Sequence, residues 1–185
     1  EPVTLTASSP IPDKYKTAVI IRPTDTIPHG ALQQLDAFLE RGGNLMVAIN
    51  RVDGNLQTVM GSAINTGLEQ WLASKGLTVK DEFVVDAKCG TVAVQQQQGG
   101  FRYSTSINFP YIPIVSSFAD HPITKGLEAV VMPFASPLEY TGDTTATFTP
   151  LAFTSQKSGT QKAPLYFNVQ KQWNNSDFPQ QRIPL

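Results

Sequence analysis

The sequence predicts an α/β domain whose sheet is mostly parallel, and three observations carry that expectation. Thr17-Ala18-Val19-Ile20-Ile21 and Leu45-Met46-Val47-Ala48-Ile49 are short apolar runs without polar alternation, the pattern of strands buried on both faces. Between them Leu32, Leu35, Phe38 and Leu39 recur at helical spacing on one face. Strand, amphipathic helix and strand within about 35 residues form a βαβ unit, a parallel pair whose crossover helix lies outside the sheet.

Taken in order, the first strand stops at Arg22-Pro23. Thr26 is placed to cap the helix, Pro28 suits its first turn, and Gly42-Gly43 closes it. A second helix is expected over 66–75, where Leu68, Trp71 and Leu72 share a face and Gly76 is the stop. Residues 77–85 return as an extended segment. The stretch 86–103 contains Gln95-Gln96-Gln97-Gln98-Gly99-Gly100, which has no packing period and reads as a hairpin tip or mobile loop. Beyond Phe109, short apolar runs at 112–115, 129–134, 148–153 and 165–169 alternate with Pro, Gly, Thr and Asp, which predicts a strand-rich C-terminal half. With no internal repeat and no linker-like stretch, residues 1–185 are expected to form a single domain.

Composition narrows the function classes. The 185 residues carry 14 Lys+Arg against 15 Asp+Glu, and 41% are apolar. A chain of this length can bury about 70% of its unfolded surface in one core. Near-zero net charge without a basic stripe argues against a nucleic-acid or anionic-membrane partner. The single cysteine, Cys89, excludes an internal disulfide framework and any zinc site with two thiolates, and two histidines, His29 and His121, supply little more. No metal or cofactor is expected. The apolar runs fall well short of the ~20 residues of a membrane-spanning helix, so membrane attachment would lie in segments outside this stretch. No glycine stands between the first strand and Gly30, and neither a Walker A sequence nor G-x-G-x-x-G is present, which argues against nucleotide binding.

In open parallel sheets the ligand crevice lies beyond the carboxyl ends of the strands. Those ends supply Arg22, Thr24 and Asp25 after the first strand, and Asn50, Arg51 and Asp53 after the second. Two arginines beside a helix N-terminus suit a carboxylate, a small polar or anionic ligand, or a partner's acidic side chain. On this reading Arg51→Ala leaves stability within about 0.5 kcal/mol and weakens binding. The competing class is a thiol-dependent hydrolase or amidotransferase using Cys89 and His121. Asp86-Ala87-Lys88-Cys89-Gly90-Thr91 has only the glycine that follows in a nucleophile elbow, and Thr91-Val92-Ala93-Val94 continues as strand rather than helix. His121 belongs to Asp120-His121-Pro122-Ile123-Thr124-Lys125-Gly126-Leu127, which reads as a one-turn helix with Gly126 as its exit and Ile123 and Leu127 pinned to the core. The expectation is a binding domain without catalytic residues.

Several stretches, in order, resemble one family. Leu35-Asp36-Ala37-Phe38-Leu39-Glu40-Arg41-Gly42-Gly43-Asn44-Leu45-Met46-Val47 is similar to an "LDxYLxxGGxLLV" motif. Gly67-Leu68-Glu69, Lys75-Gly76-Leu77 and Phe83-Val84-Val85-Asp86 follow a "GLxxLLxxYGLxVxxxLVLD" segment. Phe109-Pro110-Tyr111, His121-Pro122-Ile123-Thr124-Lys125-Gly126-Leu127 and Pro133-Phe134-Ala135-Ser136-Pro137-Leu138 follow "FPYxP", "HPITxGL" and "PFASPL". The family is that of the extracytoplasmic auxiliary proteins of ABC-type transport systems, the GldG-like proteins associated with gliding motility. The resemblance implies a Rossmann-like three-layer sandwich of class I glutamine-amidotransferase or flavodoxin type that has lost its catalytic elbow. It further implies a periplasmic domain anchored to the inner membrane by helices outside this stretch. Its partners would be an ABC permease and ATPase, which it would serve as a substrate-binding or accessory component.

Overall fold

β1 (Thr17–Ile21) and β2 (Asn44–Ala48) pair in parallel in the computed structural model, which describes residues 1–142 and 146–185. Val19 stands beside Met46 and Ile21 beside Ala48. The crossover between them is α1 (His29–Glu40), which buries Ala31, Leu32, Leu35 and Phe38. The helix begins later than Thr26 suggests. Pro28 is its extended N-cap and offers no side-chain acceptor, but its carbonyl accepts from Ala31 and Leu32 N–H. At the other end Gly42 takes φ +85°, a left-handed exit open to glycine at little cost.

Burial along β1 and β2 alternates instead of being continuous. Ala18, Ile20, Leu45 and Val47 pack against the α1 and α2 cluster, whereas Ile21 is 73% exposed and Val19 and Met46 are more than half exposed. One crossover helix covers only one face of a two-stranded sheet, so the strands are buried on one side and not on both.

α2 (Leu68–Ser74) is shorter than the 66–75 expected. Thr66 and Glu69 account for its start: Thr66 N–H and hydroxyl both donate to Glu69 Oε2, at 3.1 and 3.0 Å, and Thr66 Oγ1 accepts from Leu68 N–H. This is the reciprocal logic of a capping box. Trp71 Nε1 donates to Asp36 Oδ1 at 3.0 Å and ties α2 to α1. Leu32, Leu35, Phe38, Leu68, Trp71, Leu72 and Val79 form the first hydrophobic cluster.

After β2 every strand pairing among the described residues is antiparallel. β3 (Val52–Asn55) and β4 (Met60–Ala63) make a hairpin, followed after α2 by β5 (Leu77–Val79) and β6 (Glu82–Asp86). β7 (Cys89–Gln98) and β8 (Phe101–Val115) form a long ribbon. The short strands β9 (Ser117–Phe118), β10 (Val130–Val131), β11 (Leu138–Tyr140), β12 (Ala152–Phe153), β13 (Ser158–Lys162) and β14 (Leu165–Tyr166) complete the order. β11 returns to β5, β13 to β6, β12 to β9, β10 to β8 and β14 to β4.

The Rossmann-like three-layer sandwich of amidotransferase or flavodoxin type, with its mostly parallel sheet, is therefore not the fold. A parallel pair needs a crossover of a dozen or more residues, normally helical. Past Ser74 the described chain has no α-helix to make one, so each later strand closes by hairpin or by antiparallel return. The strand-rich second half expected from the sequence is present, and it is what displaces the parallel sheet.

The second cluster is aromatic. Phe83 meets Tyr111, Phe134 and Phe167 edge-on with ring centroids 5.9, 6.0 and 5.6 Å apart, and Phe109 completes the group. Gly54 and Gly61 are register partners across the β3–β4 hairpin. A Cβ at Gly54 would lie 2.3 Å from the Phe134 ring, and one at Gly61 2.6 Å from Phe83. The rings lie directly on the bare backbone.

A cleft at the carboxyl ends of the parallel strands

β1 ends in a strained turn. Arg22 takes φ +42°, its N–H donates to Ala48 O at 2.7 Å, and its guanidinium reaches Asp53 Oδ1 on β3 at 3.2 Å. β2 runs on through Ile49 to Asn50, whose Nδ2 donates to Phe134 O at 3.4 Å. Between these ends and the segment 130–136 lies a cleft of about 760 Å³, within the size range of ligand sites. Ile21, Val47, Ile49, Val79, Val131, Phe134 and Leu185 are among its walls, with Arg22, Asn50, Asp53 and Ser136 as polar members.

Three of the six residues expected at the strand ends, Arg22, Asn50 and Asp53, thus meet at one cleft. Thr24 and Asp25 are exposed and do not line it. Arg51 is turned into the protein. Its backbone N–H donates to Ser136 Oγ at 3.2 Å, Nη1 donates to Ile64 O and to Asn65 Oδ1, and Nη1 lies 3.6 Å from Glu69 Oε1. The two side chains of that ion pair are 13% and 6% exposed. The two-arginine anion site expected from the sequence does not assemble: one guanidinium is buried against α2, and the other is paired with Asp53.

Glu69 is held charged by its place at the start of α2. Burial opposes the charge, but hydrogen bonds from the backbone of Glu69, Thr66 and Gly67 and from the Thr66 hydroxyl outweigh it, so its carboxyl sits below the usual value. That stabilisation comes from the helix start.

The far wall of the cleft was not legible from the strand-end rule, because nothing in local spacing joins residue 50 to residue 134. Its only sequence signal is Pro133-Phe134-Ala135-Ser136-Pro137-Leu138. Phe134 stands at φ +55°, its N–H donates to Tyr111 O, and Ala135 O accepts from Val84, so the aromatic cluster fixes this wall. A second depression of about 400 Å³ near β5 and β13 is bordered by the Lys80–Glu139 ion pair.

Cys89, at the start of β7, and His121, in the turn before Ile123, sit in separate local settings. Burial pushes the half-buried Cys89 thiol up, a backbone hydrogen bond at Phe109 opposes this only in part, and the charge of Asp86 adds to it. A nucleophilic cysteine needs the opposite shift. His121 Nδ1 accepts from Ile123 N–H at 3.2 Å, and among the described residues no hydrogen bond links it to Cys89. The His121 turn is held by Thr124, which is buried and donates to Ala119 O, whereas Ile123 is 70% exposed and Leu127 is also exposed, so these two do not pin it. Asp86 is equally committed: fully buried, it accepts from Lys88 N–H, Ser155 N–H and the Ser155 hydroxyl. Among the described residues no three His, Cys, Asp or Glu side chains gather to hold a metal ion.

A comparison with curated proteins finds no match. Among solved structures the chain is similar to the mmIFT52 N-terminal domain, at 18% identity and a TM-score of 0.49, over 78% of this chain and 54% of that one. The chain therefore spans about half the length of that solved chain. The family model described as "ABC-type uncharacterized transport system" matches residues 1–185, and the protein belongs to that family.

Proposed function

We propose that this chain is a non-catalytic, extracytoplasmic accessory domain of an ABC-type transport system, GldG-like and related to gliding motility. In this reading it is held at the periplasmic face of the inner membrane by segments outside residues 1–185 and assembles with permease and ATPase subunits. The observation that carries the reading is family membership across the whole chain. No helix among the described residues is long and apolar enough to cross a membrane, so the anchor in this reading is supplied elsewhere.

The cleft is the surface we assign to the partner. Its walls are mainly apolar, and its polar members already have partners: Arg22 with Asp53, and Asn50 with Phe134 O. An anionic ligand at Arg22 would meet the Asp53 carboxylate beside it, a like charge. An apolar segment of a transporter subunit could enter with Val131, Ile21 and Phe134 as its contacts and leave those pairs intact. That favours protein binding over capture of a small polar ligand.

The test is affinity purification of the full-length protein from its native membrane, with mass spectrometry of what accompanies it. Permease and ATPase subunits should co-purify, and Val131→Glu, at an exposed cleft position, should reduce their recovery. A preparation that retains a small molecule and no transporter subunit would refute the accessory reading.

A further inference from the structure

We infer that the outer part of the β7–β8 ribbon is a self-association arm, through which the open edge of β7 pairs with the same edge of a second copy of this chain. The inference goes beyond the transport reading and does not rest on it. Gly99 and Gly100 form a two-residue loop with φ +55° and +85°, as a tight hairpin turn requires. The pair flanking such a loop, Gln98 and Phe101, is hydrogen-bonded, and alternation along an antiparallel ladder makes 96 with 103, 94 with 105 and 92 with 107 bonded too. The N–H and C=O groups of Thr91, Ala93, Gln95 and Gln97 therefore point away from β8. β7 is the outer strand of its sheet, and no described residue pairs with that edge.

Natural edges are usually protected by lysine, proline, inward charge or a bulge. From Gly90 to Gly100 this strand has no charged residue and no proline, and its one irregularity, between Cys89 and Thr91, lies at the base. One side-chain row of β8 also runs from the core to the tip: Phe109 is 2% exposed, Tyr103 43% and Phe101 80%. Val92, Val94 and Ile107 on that face are half-buried, while Ala93, Gln95, Gln97, Ser104 and Ser106 opposite are exposed. The apolar face thus outruns the body that covers it. A two-stranded ribbon alone is marginal in water, and a four-stranded sheet is not.

Charge and hydrogen-bonding chemistry select a second copy as the occupant. Two uncharged edges meet about a two-fold axis with no like charges opposed, whereas a strongly charged partner strand would find no counter-charge on β7. Glutamine carries both donor and acceptor, so Gln95 and Gln97 can satisfy each other across an isologous contact.

The test is sedimentation of the full chain across a wide concentration range, with two variants. Gln95→Pro removes an outward N–H without touching the internal ladder, and Gln95→Lys places like charges across the axis while leaving the backbone free to pair. The wild-type chain should go from monomer to dimer mass as concentration rises. Either variant should raise the dimer dissociation constant by about tenfold or more, with a melting temperature equal to the wild type's at concentrations where both are monomeric. A chain that stays monomeric throughout overturns the inference, as does a dimer unaffected by Gln95→Lys. Neither transporter subunit nor membrane enters this measurement, so its failure leaves the accessory reading standing.

Discussion

Arg51 is held by Ile64, Asn65 and Glu69, and the cost of removing it follows from those partners. Arg51→Ala leaves Ile64 O and Asn65 Oδ1 without their donor and Glu69 without its nearby cation, which should destabilise the fold by about 1–3 kcal/mol. Urea unfolding would read this as a lowered midpoint with unchanged slope. The outcome reverses what the sequence suggests for the same change. A residue after a strand looks like a solvated loop position, and nothing nearby in the chain announces that Asn65 and Glu69 will meet it. Glu69 gives a pH prediction. Its folded pKa lies below the ordinary 4.5, so its contribution is fully present above that pH and is lost as pH falls below 4.5 through the folded value. Glu69→Gln should be less stable near neutrality and show a smaller acid-side loss than the wild type. Equal acid sensitivity in the two proteins would contradict the assignment.

At the scale of elements, the β1–α1–β2 unit was legible because both of its signals are local, apolar runs for the strands and 3.6-residue periodicity for the helix. The later strands were legible as strands but not in their direction. Direction depends on whether a crossover helix intervenes, and pairings such as β5 with β11 or β6 with β13 join residues far apart in the chain. The stretch 95–100 reads from sequence as a hairpin tip or mobile loop; in the structure the tip is Gly99-Gly100 alone, and the glutamines are strand. The β3–β4 hairpin gives an element-scale prediction. Gly54→Val would drive a side chain into the Phe134 ring, which is also a wall of the cleft. It should destabilise by about 1–3 kcal/mol and weaken partner binding as well, measured as a lower melting temperature and reduced co-purification of transporter subunits.

At the scale of the whole molecule, the α1–α2 side presents an apolar interior and the outer face of the parallel pair stays uncovered, with Val19, Ile21 and Met46 exposed. Ile21→Ser should therefore shift stability by no more than about 0.5 kcal/mol. Phe38→Ala, at a fully buried position, should cost about 3–5 kcal/mol. The contrast in chemical denaturation would show which face is the core. Of the candidate site, the rule that ligands gather beyond strand carboxyl ends names Arg22, Asn50 and Asp53, which border the cleft, and Thr24, Asp25 and Arg51, which do not. It names them from one parallel pair, although the rest of the sheet the rule presupposes is absent. In the proposed function, that cleft is where a transporter subunit docks. The most direct measurement is photo-cross-linking in the native membrane from a photoreactive residue at Val131, which lines the cleft, and in a second protein at Tyr166, which lies outside it. The account predicts a cross-link to a transporter subunit from position 131 and none from position 166. Capture from position 166 alone would contradict it.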